Sequence, residues 1–308
     1  MDDREEGRKS LSKGQRFLLW AINLFPLTLR IWVFENLALL LYFIDGKHRR
    51  ICQRNLHLAF PEFQADQIVT LSRKVFRNLG RVFAEFTFIP RLHPGNIGRY
   101  ITAEGMEHYD QARRKGKGVL VLTAHFGNWE WLAAAFPILF GHGGYVVVRP
   151  LDNRFLNRLV EALRTWTGNR TVPKQKSMGQ LLRLLKRGQT LGILLDQNVS
   201  WQEGIFVPFF GELACTNIGL ALLAMKTEAP VIPFFSIRQA DGTYRIIIEP
   251  EIPLIRTGNK EWDIEQNTLN YTAMIERYVR NCPDHWFWVH QRWKTRPWQA
   301  KRARGVAV

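Results

Sequence analysis

The chain has 308 residues, and 46% of them are hydrophobic, which is ample for one large core or two small ones. Its formal net charge of +16 implies an anionic partner, which is a nucleic acid, an anionic bilayer or an acidic protein. The three cysteines, Cys52, Cys215 and Cys282, lie far apart without a CxxC spacing. This spacing argues against a disulfide framework or a zinc site and fits a reducing compartment.

Residues 1–16 are polar, and we expect them to be poorly ordered, with no signal-peptide cleavage pattern. Residues 17–44 are mostly apolar and are interrupted by Pro26, Arg30, Glu35 and Asn36. A spanning helix needs about 20 apolar residues. Three interpretations remain: a kinked single anchor, a pair of helices in the membrane interface, or a core hairpin of a soluble protein. The basic residues that follow, from residue 47 to 50, favour a cytoplasmic flank beside anionic lipid.

Amphipathic helices are predicted over residues 47–60, which end before a proline, and over residues 65–89. Glu85 falls near the apolar side of the second helix, where we expect a rim position. Residues 104–115 are predicted to form a surface helix that ends in a basic run.

The central stretch runs from Val119 through His125 and Asn128 to Glu130. It begins as a strand buried on both faces and continues, after Gly127, into an alanine-rich helix that Asn128 caps. A His at the carboxyl end of a parallel strand lies where open α/β sheets bind ligands. If the turn is tight, Glu130 reaches the imidazole, and the pair is a general base. The pattern alone allows an equal alternative, in which His125 lies in the core, Glu130 lies at the start of the helix, and the two side chains do not meet.

A second strand ends at Arg149, and a helix over residues 152–167 carries Arg154, Arg158 and Arg164 at helical spacing before Gly168 closes it. These arginines are either solvated or a cradle for an anionic acceptor, since Arg binds phosphate through two hydrogen bonds.

A helix over residues 177–187 precedes a third strand, which ends in Asp196 and Gln197 at the same sheet edge. Residues 203–216 are predicted to form a loop whose aromatic residues need cover from an acyl chain, the bilayer or the core. Thr216 is predicted to cap the helix that follows. A fourth strand turns through Asp241 and Gly242 into a hairpin, and a helix covers residues 261–281.

The predicted fold class is α/β, with a mostly parallel central sheet flanked by helices and an N-terminal helical membrane-anchoring segment. Residues 1–46 form the tail and anchor in this interpretation, and residues 47–308 form the catalytic domain.

His125-x4-Glu130, within Thr-Ala-His-Phe-Gly-Asn-Trp-Glu, resembles the HxxxxD/E motif of the lysophospholipid acyltransferase superfamily. It is closer to the lipid A late (lauroyl/myristoyl) acyltransferases than to the glycerol-phosphate branch, which usually has Asp. Three further blocks carry the likeness, from about Arg50 to Pro297: Arg-Asn-Leu-His-Leu-Ala-Phe-Pro, Asp-Gln followed by Gly-Ile-Phe-Val-Pro-Phe-Phe-Gly and Ala-Cys-Thr, and the C-terminal Trp/His/Arg run that begins at His285.

The resemblance implies transfer of a fatty acyl chain from an acyl carrier protein to a hydroxyl of a lipid A precursor or related glycolipid. His125 would be the general base, and Glu130 would be the acid that orients it. An arginine that is important in the family is best matched by Arg164 and next by Arg149. The other expected substrate-binding residues are Asn128, Asp196, Gln197 and Thr216. The resemblance favours an enzyme on the cytoplasmic face of a bacterial inner membrane, held to its anionic leaflet, with no cofactor and no metal.

Backbone amides after His125 and the Asn128 side chain are our expected oxyanion donors. The sequence contains no G-x-S-x-G, which argues against an acyl-enzyme. Lysophospholipid, ornithine-lipid and phosphatidylinositol mannoside acceptors stay open as alternatives. A nucleic-acid-binding protein is the rival from another class, and no recognition motif supports it. A metallohydrolase is disfavoured because HExxH is absent.

Overall fold

A seven-stranded sheet of order β1-β9-β8-β2-β5-β3-β4 lies at the centre of this computed structural model, which describes residues 11–175 and 177–298. The strands are β1 Ile101–Glu104, β2 Val119–Thr123, β3 Tyr145–Val148, β4 Arg170–Pro173, β5 Thr190–Leu194, β6 Gly204–Phe209, β7 Glu212–Asn217, β8 Val231–Arg238 and β9 Tyr244–Ile248. The helices are α1 Lys13–Asn23, α2 Leu27–Ile44, α3 Gly46–Ala59, α4 Ala65–Phe86, α5 Met106–Arg114, α6 Trp129–Phe140, α7 Arg154–Thr165, α8 Met178–Lys186, α9 Gly219–Thr227 and α10 Lys260–Asn281.

Strand pairing in the large sheet is mostly parallel. β2 lies between β5 and β8 and is parallel to both, and β3 is parallel to β4 and β5. The antiparallel pair is β8 with β9, joined by the hairpin that Asp241 and Gly242 predicted. The predicted fold class is therefore confirmed.

Helices cover both faces of the sheet, as a parallel sheet requires. All five residues of β2 are buried, and they alternate between two apolar cores. Leu120 and Leu122 face the core built with α3, α4, α8, α9 and α10, whereas Val119 and Val121 face the core built with α5, α6 and α7. Two short strands, β1 and β4, were missed because their sequences, Ile-Thr-Ala-Glu and Arg-Thr-Val-Pro, contain no run of apolar residues.

The apolar N-terminal segment forms two helices, α1 and α2, which are separated at Pro26. Within residues 11–175 and 177–298, α2 is the helix whose length and composition would allow it to cross a membrane. The domain boundary after residue 46 stays a prediction. The first part of the expected N-terminal tail, residues 1–10, lies outside the described residues.

The segment from Glu203 to Thr216 corrects a prediction, because it forms the antiparallel hairpin β6–β7 and its aromatic residues turn inward. Phe209 and Phe210 are 1% and 6% exposed. The pairing of β6 with β7 satisfies the backbone polar groups, so this segment can fold onto the core. Thr216 belongs to β7 and does not cap α9, whose N-cap is Ile218.

Candidate active site

The connection from β2 to α6 carries the motif and makes a tight turn. Gly127 has φ +57°, and a Cβ there would lie 1.7 Å from the carbonyl oxygen of Ser236 on β8. Only glycine fits such a close approach. Asn128 then caps α6, as predicted, since its Oδ1 accepts a hydrogen bond from the Trp131 amide at 2.8 Å.

The C-terminal segment lies against this turn. The Gly127 amide donates to the His285 carbonyl at 2.9 Å, and the Phe287 amide donates to the His125 carbonyl at 3.1 Å. The rings of Phe287 and Trp129 flank the imidazole, with centroids 5.8 Å and 5.3 Å from it. The Trp/His/Arg block that the sequence analysis noted thus supports the backbone and ring of His125.

Asp196 holds the imidazole of His125. Nδ1 of His125 lies 2.8 Å from Oδ1 of Asp196, and the His125 amide donates to Oδ2 at 2.9 Å. Trp286 Nε1 donates to the same Oδ2 at 2.8 Å. Burial alone would raise the pKa of Asp196, but its attraction to His125 and these hydrogen bonds lower the pKa to about 2. A carboxylate at Nδ1 places the ring proton on that nitrogen.

Nε2 of His125 is consequently the lone-pair nitrogen. The His125 side chain is 21% exposed, whereas Asp196 is 2% exposed. Nε2 lies 3.4 Å from Nε2 of Gln197, which is the nearby polar side chain at the mouth of the site. The ring therefore presents a base to solvent and to an incoming hydroxyl.

Glu130 does not hold the imidazole, and this corrects the sequence-based expectation. Its carboxylate accepts from Arg164 Nε at 3.0 Å and from Arg164 Nη2 at 2.6 Å, and from Trp129 Nε1 at 3.2 Å. The turn carries Glu130 onto the first turn of α6, where α7 presents Arg164. Burial lowers the pKa of Arg164, but the attraction and hydrogen bonds of Glu130 outweigh it and raise that pKa. Arg164, which we expected to help hold an anionic acceptor, thus forms an ion pair with Glu130 in this structure.

Asn128 is not available as an oxyanion donor, which is a second correction. It is fully buried, and its Nδ2 donates to Oε2 of Glu85 at 2.7 Å. The rim position expected for Glu85 was also wrong, since this residue is 1% exposed and also accepts from the Tyr244 hydroxyl at 2.7 Å. Burial raises the pKa of Glu85 to about 7, against the lowering effect of these two hydrogen bonds.

Thr216 is also sealed, since it is fully buried and its Oγ1 accepts from Arg292. Arg292 is itself fully buried and donates to the carbonyls of Cys215 at 2.9 Å and Gln197 at 3.3 Å. It ties the hairpin to the loop after β5. Arg149, by contrast, is exposed just beyond β3, at the same edge of the sheet.

Sequence reasoning missed three supporting residues: Glu85, Trp286 and Arg292. A buried-strand pattern could not reveal them, because they reach the site from a distant helix and from the C-terminal segment. The available signal was the C-terminal block itself, which holds two of them. In the part of the chain that the structure describes, no group of three His, Cys, Asp or Glu residues could hold a metal ion.

A partly exposed imidazole held by a buried carboxylate, at the carboxyl edge of a mostly parallel sheet, lies where α/β proteins bind their ligands. The comparison with known families shows which kind of α/β protein this is: the chain belongs to the bacterial lipid A biosynthesis acyltransferase family, which matches residues 15–295. It is an enzyme that transfers acyl groups in lipid A biosynthesis.

Curated relatives agree with this assignment. The chain is 28% identical over 256 residues to the lipid A biosynthesis lauroyltransferase of Escherichia coli (strain K12), which covers 82% of this chain and 80% of that protein. It is 24% identical over 257 residues to the palmitoleoyltransferase of the same organism, with the same coverage. A 1-acyl-sn-glycerophosphate (LPA) acyltransferase structure from Thermotoga maritima aligns at a TM-score of 0.37 and 14% identity, over 80% of this chain and 97% of that one.

Proposed function

We propose that this enzyme moves a fatty acyl chain from an acyl carrier protein thioester to a hydroxyl of a lipid A precursor. The observation that carries the proposal is the His125 imidazole, whose Nδ1 is held by Asp196 and whose Nε2 has the exposed Gln197 side chain as its neighbour, in a chain of the lipid A acyltransferase family. The relatives named lauroyl- and palmitoleoyltransferases support a fatty acyl group as the cargo.

In the proposed reaction, Nε2 of His125 removes the proton of the acceptor hydroxyl while the oxygen of that hydroxyl attacks the thioester carbonyl. The carbon–sulfur bond then breaks, and the imidazolium returns the proton to the departing thiolate of the carrier. Asp196 stabilises the imidazolium and keeps the required tautomer. General base catalysis of this kind contributes roughly 10²–10⁴-fold, and positioning supplies much of the remainder.

Glu130 has a positioning role in this proposal, because it acts through Arg164. The carboxylate holds the guanidinium through two hydrogen-bonding nitrogens, so Arg164 is presented in one orientation. A guanidinium oriented in this way suits an anionic group of the acceptor. The contact of Trp129 with both Glu130 and the His125 ring joins the ion pair to the base.

The charge of the chain supports an acyl carrier protein as donor, because a +16 surface attracts an acidic protein and speeds its encounter. The same charge and the basic residues after α2 support attachment to the anionic cytoplasmic leaflet of the inner membrane. A phosphatidylinositol mannoside acyltransferase of Mycolicibacterium smegmatis is 23% identical over 259 residues. Its name makes such a mannoside the second candidate acceptor.

The test is an assay of purified enzyme with a lipid A precursor and two donors, acyl carrier protein and coenzyme A, that carry the same acyl chain. Mass spectrometry should show one added acyl chain with the carrier protein, and His125→Ala should lower the rate by roughly 10²-fold or more. Higher ionic strength should raise KM for the carrier donor while kcat stays unchanged.

Equal use of coenzyme A, with no effect of salt, would remove the carrier protein from the proposal. Normal rates in His125→Ala would remove the mechanism. Acylation of a phosphatidylinositol mannoside, with none of the lipid A precursor, would replace the acceptor.

A further inference from the structure

Helix α2 has an inverted distribution of polarity. Its polar or amphipathic residues Arg30, Glu35 and Tyr42 face the protein. Its opposite side is exposed and mostly apolar: besides Thr28 and Asn36, it carries Leu29, Trp32, Val33, Leu37, Leu40, Leu41, Phe43 and Ile44. A contiguous apolar surface of this kind marks an interaction site, because soluble surfaces rarely leave such patches in water.

The inward side of α2 is held by α4 along its length. At one end, Arg30 Nη1 donates to Thr87 Oγ1 at 3.0 Å, just beyond α4. In the middle, Glu35 pairs with Arg81 at 2.6 Å. At the other end, the ring of Tyr42 contacts that of Phe76, with centroids 5.3 Å apart.

The two helices are also very close. A Cβ at Gly80 of α4 would lie 2.3 Å from the Phe34 carbonyl oxygen and 2.8 Å from Cβ of Ala38. Both ends of α2 are therefore fixed to the same globular body. A helix that crossed a membrane on its own would leave that body at one end, and this one does not.

Crossing the bilayer would draw α4 into the hydrocarbon with α2. Along the shared stretch α4 carries Arg73, Lys74, Arg77 and Arg81. A charged side chain at the bilayer centre is strongly unfavourable. The guanidinium of Arg73 lies over the rings of Tyr42 and Phe43, at 5.8 Å and 5.6 Å. The cationic side of α4 therefore runs beside α2, which argues against a spanning arrangement.

We propose that α2 lies flat in one leaflet of an anionic phospholipid membrane, with its exposed apolar side among the acyl chains and both ends on the same side. The proposal concerns how the chain is attached and does not depend on the donor or acceptor given above. It selects the interfacial pair of helices from the three interpretations of residues 17–44.

Neighbouring elements extend the same apolar surface. On α1, the exposed residues are Phe17, Leu18 and Trp20, with Leu24 and Phe25 following in the connection to α2. Gln15 Nε2 donates to the Phe155 carbonyl at 2.7 Å, which brings α1 to the start of α7, where Phe155 and Leu156 are also exposed. On α4, Phe83 is 62% exposed between the contacts that Gly80 and Thr87 make with α2. Tryptophan rings such as these favour the headgroup boundary.

Basic residues lie where the two helices begin and end. Lys13 and Arg16 are in the first turn of α1, and Lys47 and Arg50 follow α2 closely and are exposed. Cations beside a buried apolar surface are what anionic headgroups attract. The occupant we infer is thus an anionic phospholipid leaflet.

This surface is connected to the active site by α4. The Glu85 carbonyl accepts from Trp131 Nε1 at 2.6 Å, and its carboxylate holds Asn128 in the catalytic turn. The helix that supports α2 therefore also supports the turn after His125.

The decisive test is the sidedness of the two ends of α2. Thr28→Cys and Lys47→Cys, both at exposed positions, are treated with an impermeant maleimide in inside-out vesicles and in spheroplasts. Both substitutions are made in a Cys282→Ser chain, because Cys282 is partly exposed. The Cys282→Ser chain alone is the control, since the remaining cysteines, Cys52 and Cys215, are buried. We expect labelling of both positions from one side, or labelling of Thr28→Cys only after detergent because lipid covers it. Labelling of the two positions from opposite sides would overturn the proposal.

Vesicle binding tests the surface itself. Leu37→Glu and Leu41→Glu should each lower partitioning into anionic vesicles by roughly tenfold to a hundredfold, the value of one buried Leu side chain. The matched control is Leu213→Glu, which adds the same charge at a residue exposed on β7. Unchanged binding of both α2 variants, or an equal loss in the β7 variant, would place the membrane contact elsewhere. Acyl transfer to detergent-dispersed acceptor is measured in parallel, and it should persist.

Discussion

At the scale of single residues, the two carboxylates of the site perform separate tasks. Asp196 bonds the ring of His125, and Glu130 bonds Arg164. Strand register explains the first pairing. Thr123 at the end of β2 lies opposite Leu194 at the end of β5. His125 and Asp196, each two residues further along the chain, therefore lie side by side. Both are at the carboxyl edge of the sheet, where the ligand site is expected.

Asp196→Asn and Glu130→Gln distinguish the two tasks. In the Asp196 variant, kcat should fall by roughly 10²–10⁴-fold because the imidazole loses its tautomer and its counter-charge. Glu130→Gln should leave kcat near the wild-type value and raise KM for the acceptor, because Arg164 loses the carboxylate that orients it. Steady-state rates are measured with purified protein.

The assignment of the two acids is reversed if Glu130→Gln causes the large fall in kcat while Asp196→Asn changes only KM. Thermal unfolding of both variants is the control for folding, because Asp196 is buried near the Arg292 cation. Loss of kcat with unfolding at the assay temperature would be a stability effect instead.

The free energy of unfolding depends on pH through the ionisation of Glu85. Burial raises its pKa from 4.5 to about 7, while hydrogen bonds from Tyr244 and Asn128 act in the opposite direction. Between these two pH values the folded chain holds a proton that the unfolded chain releases. The free energy of unfolding therefore decreases as the pH rises through this window, by about 3 kcal/mol at most.

Glu85→Gln has no proton to lose, so its stability relative to the wild type should rise with pH across the same window. Burial lowers the pKa values of His285 and of the partly buried His290 to about 4, so both titrate in part of this range, but the two proteins share them. The difference between the two unfolding curves thus isolates Glu85. A difference that is constant with pH would show that Glu85 is ionised throughout.

At the scale of elements, the C-terminal segment completes the site. It pairs with the turn after β2 and sends Trp286 to Asp196, while Trp288 donates to the Pro283 carbonyl at 2.6 Å. The rings of Trp286 and Trp288 meet edge to face at 4.6 Å. The two tryptophans are both fully buried, so one is a matched control for the other.

Trp286→Phe should lower kcat about tenfold with little change in KM, since a hydrogen bond to a charged group contributes about 1.5–3 kcal/mol. Trp288→Phe should cost comparable stability but leave kcat near the wild-type value. Steady-state kinetics and thermal unfolding of both variants make the comparison. Equal losses of kcat would show that the segment acts by packing alone.

The helices and the strands differ in how well local sequence predicted them. α3, α4, α8 and α10 begin and end within three residues of their predicted bounds, because amphipathic spacing and caps are local signals. The hairpin β6–β7 was predicted as a loop, since its strands are stabilised by each other and by the core beneath. Whether Phe209 and Phe210 face lipid or core depends on contacts with distant Trp286, Trp288 and Trp293.

At the scale of the whole molecule, charge and apolar surface act together. The excess of +16 suits a membrane enzyme whose proposed donor is an acidic protein. The exposed apolar residues are concentrated on α1 and α2, with further ones on α4 and α7. Because the family is enzymatic, the excess of basic residues does not require nucleic acid as a partner.

The sequence by itself determined the family, the α/β class and the motif His, because each depends on residues that are adjacent or regularly spaced. Only the tertiary structure decided which acid meets the imidazole, since strand order brings residues 71 positions apart into contact. It also decided that Asn128 and Thr216 are sealed, and that α2 lies along α4 with its charges inward. Burial and partnership depend on what packs against a side chain, and no local pattern contains that information.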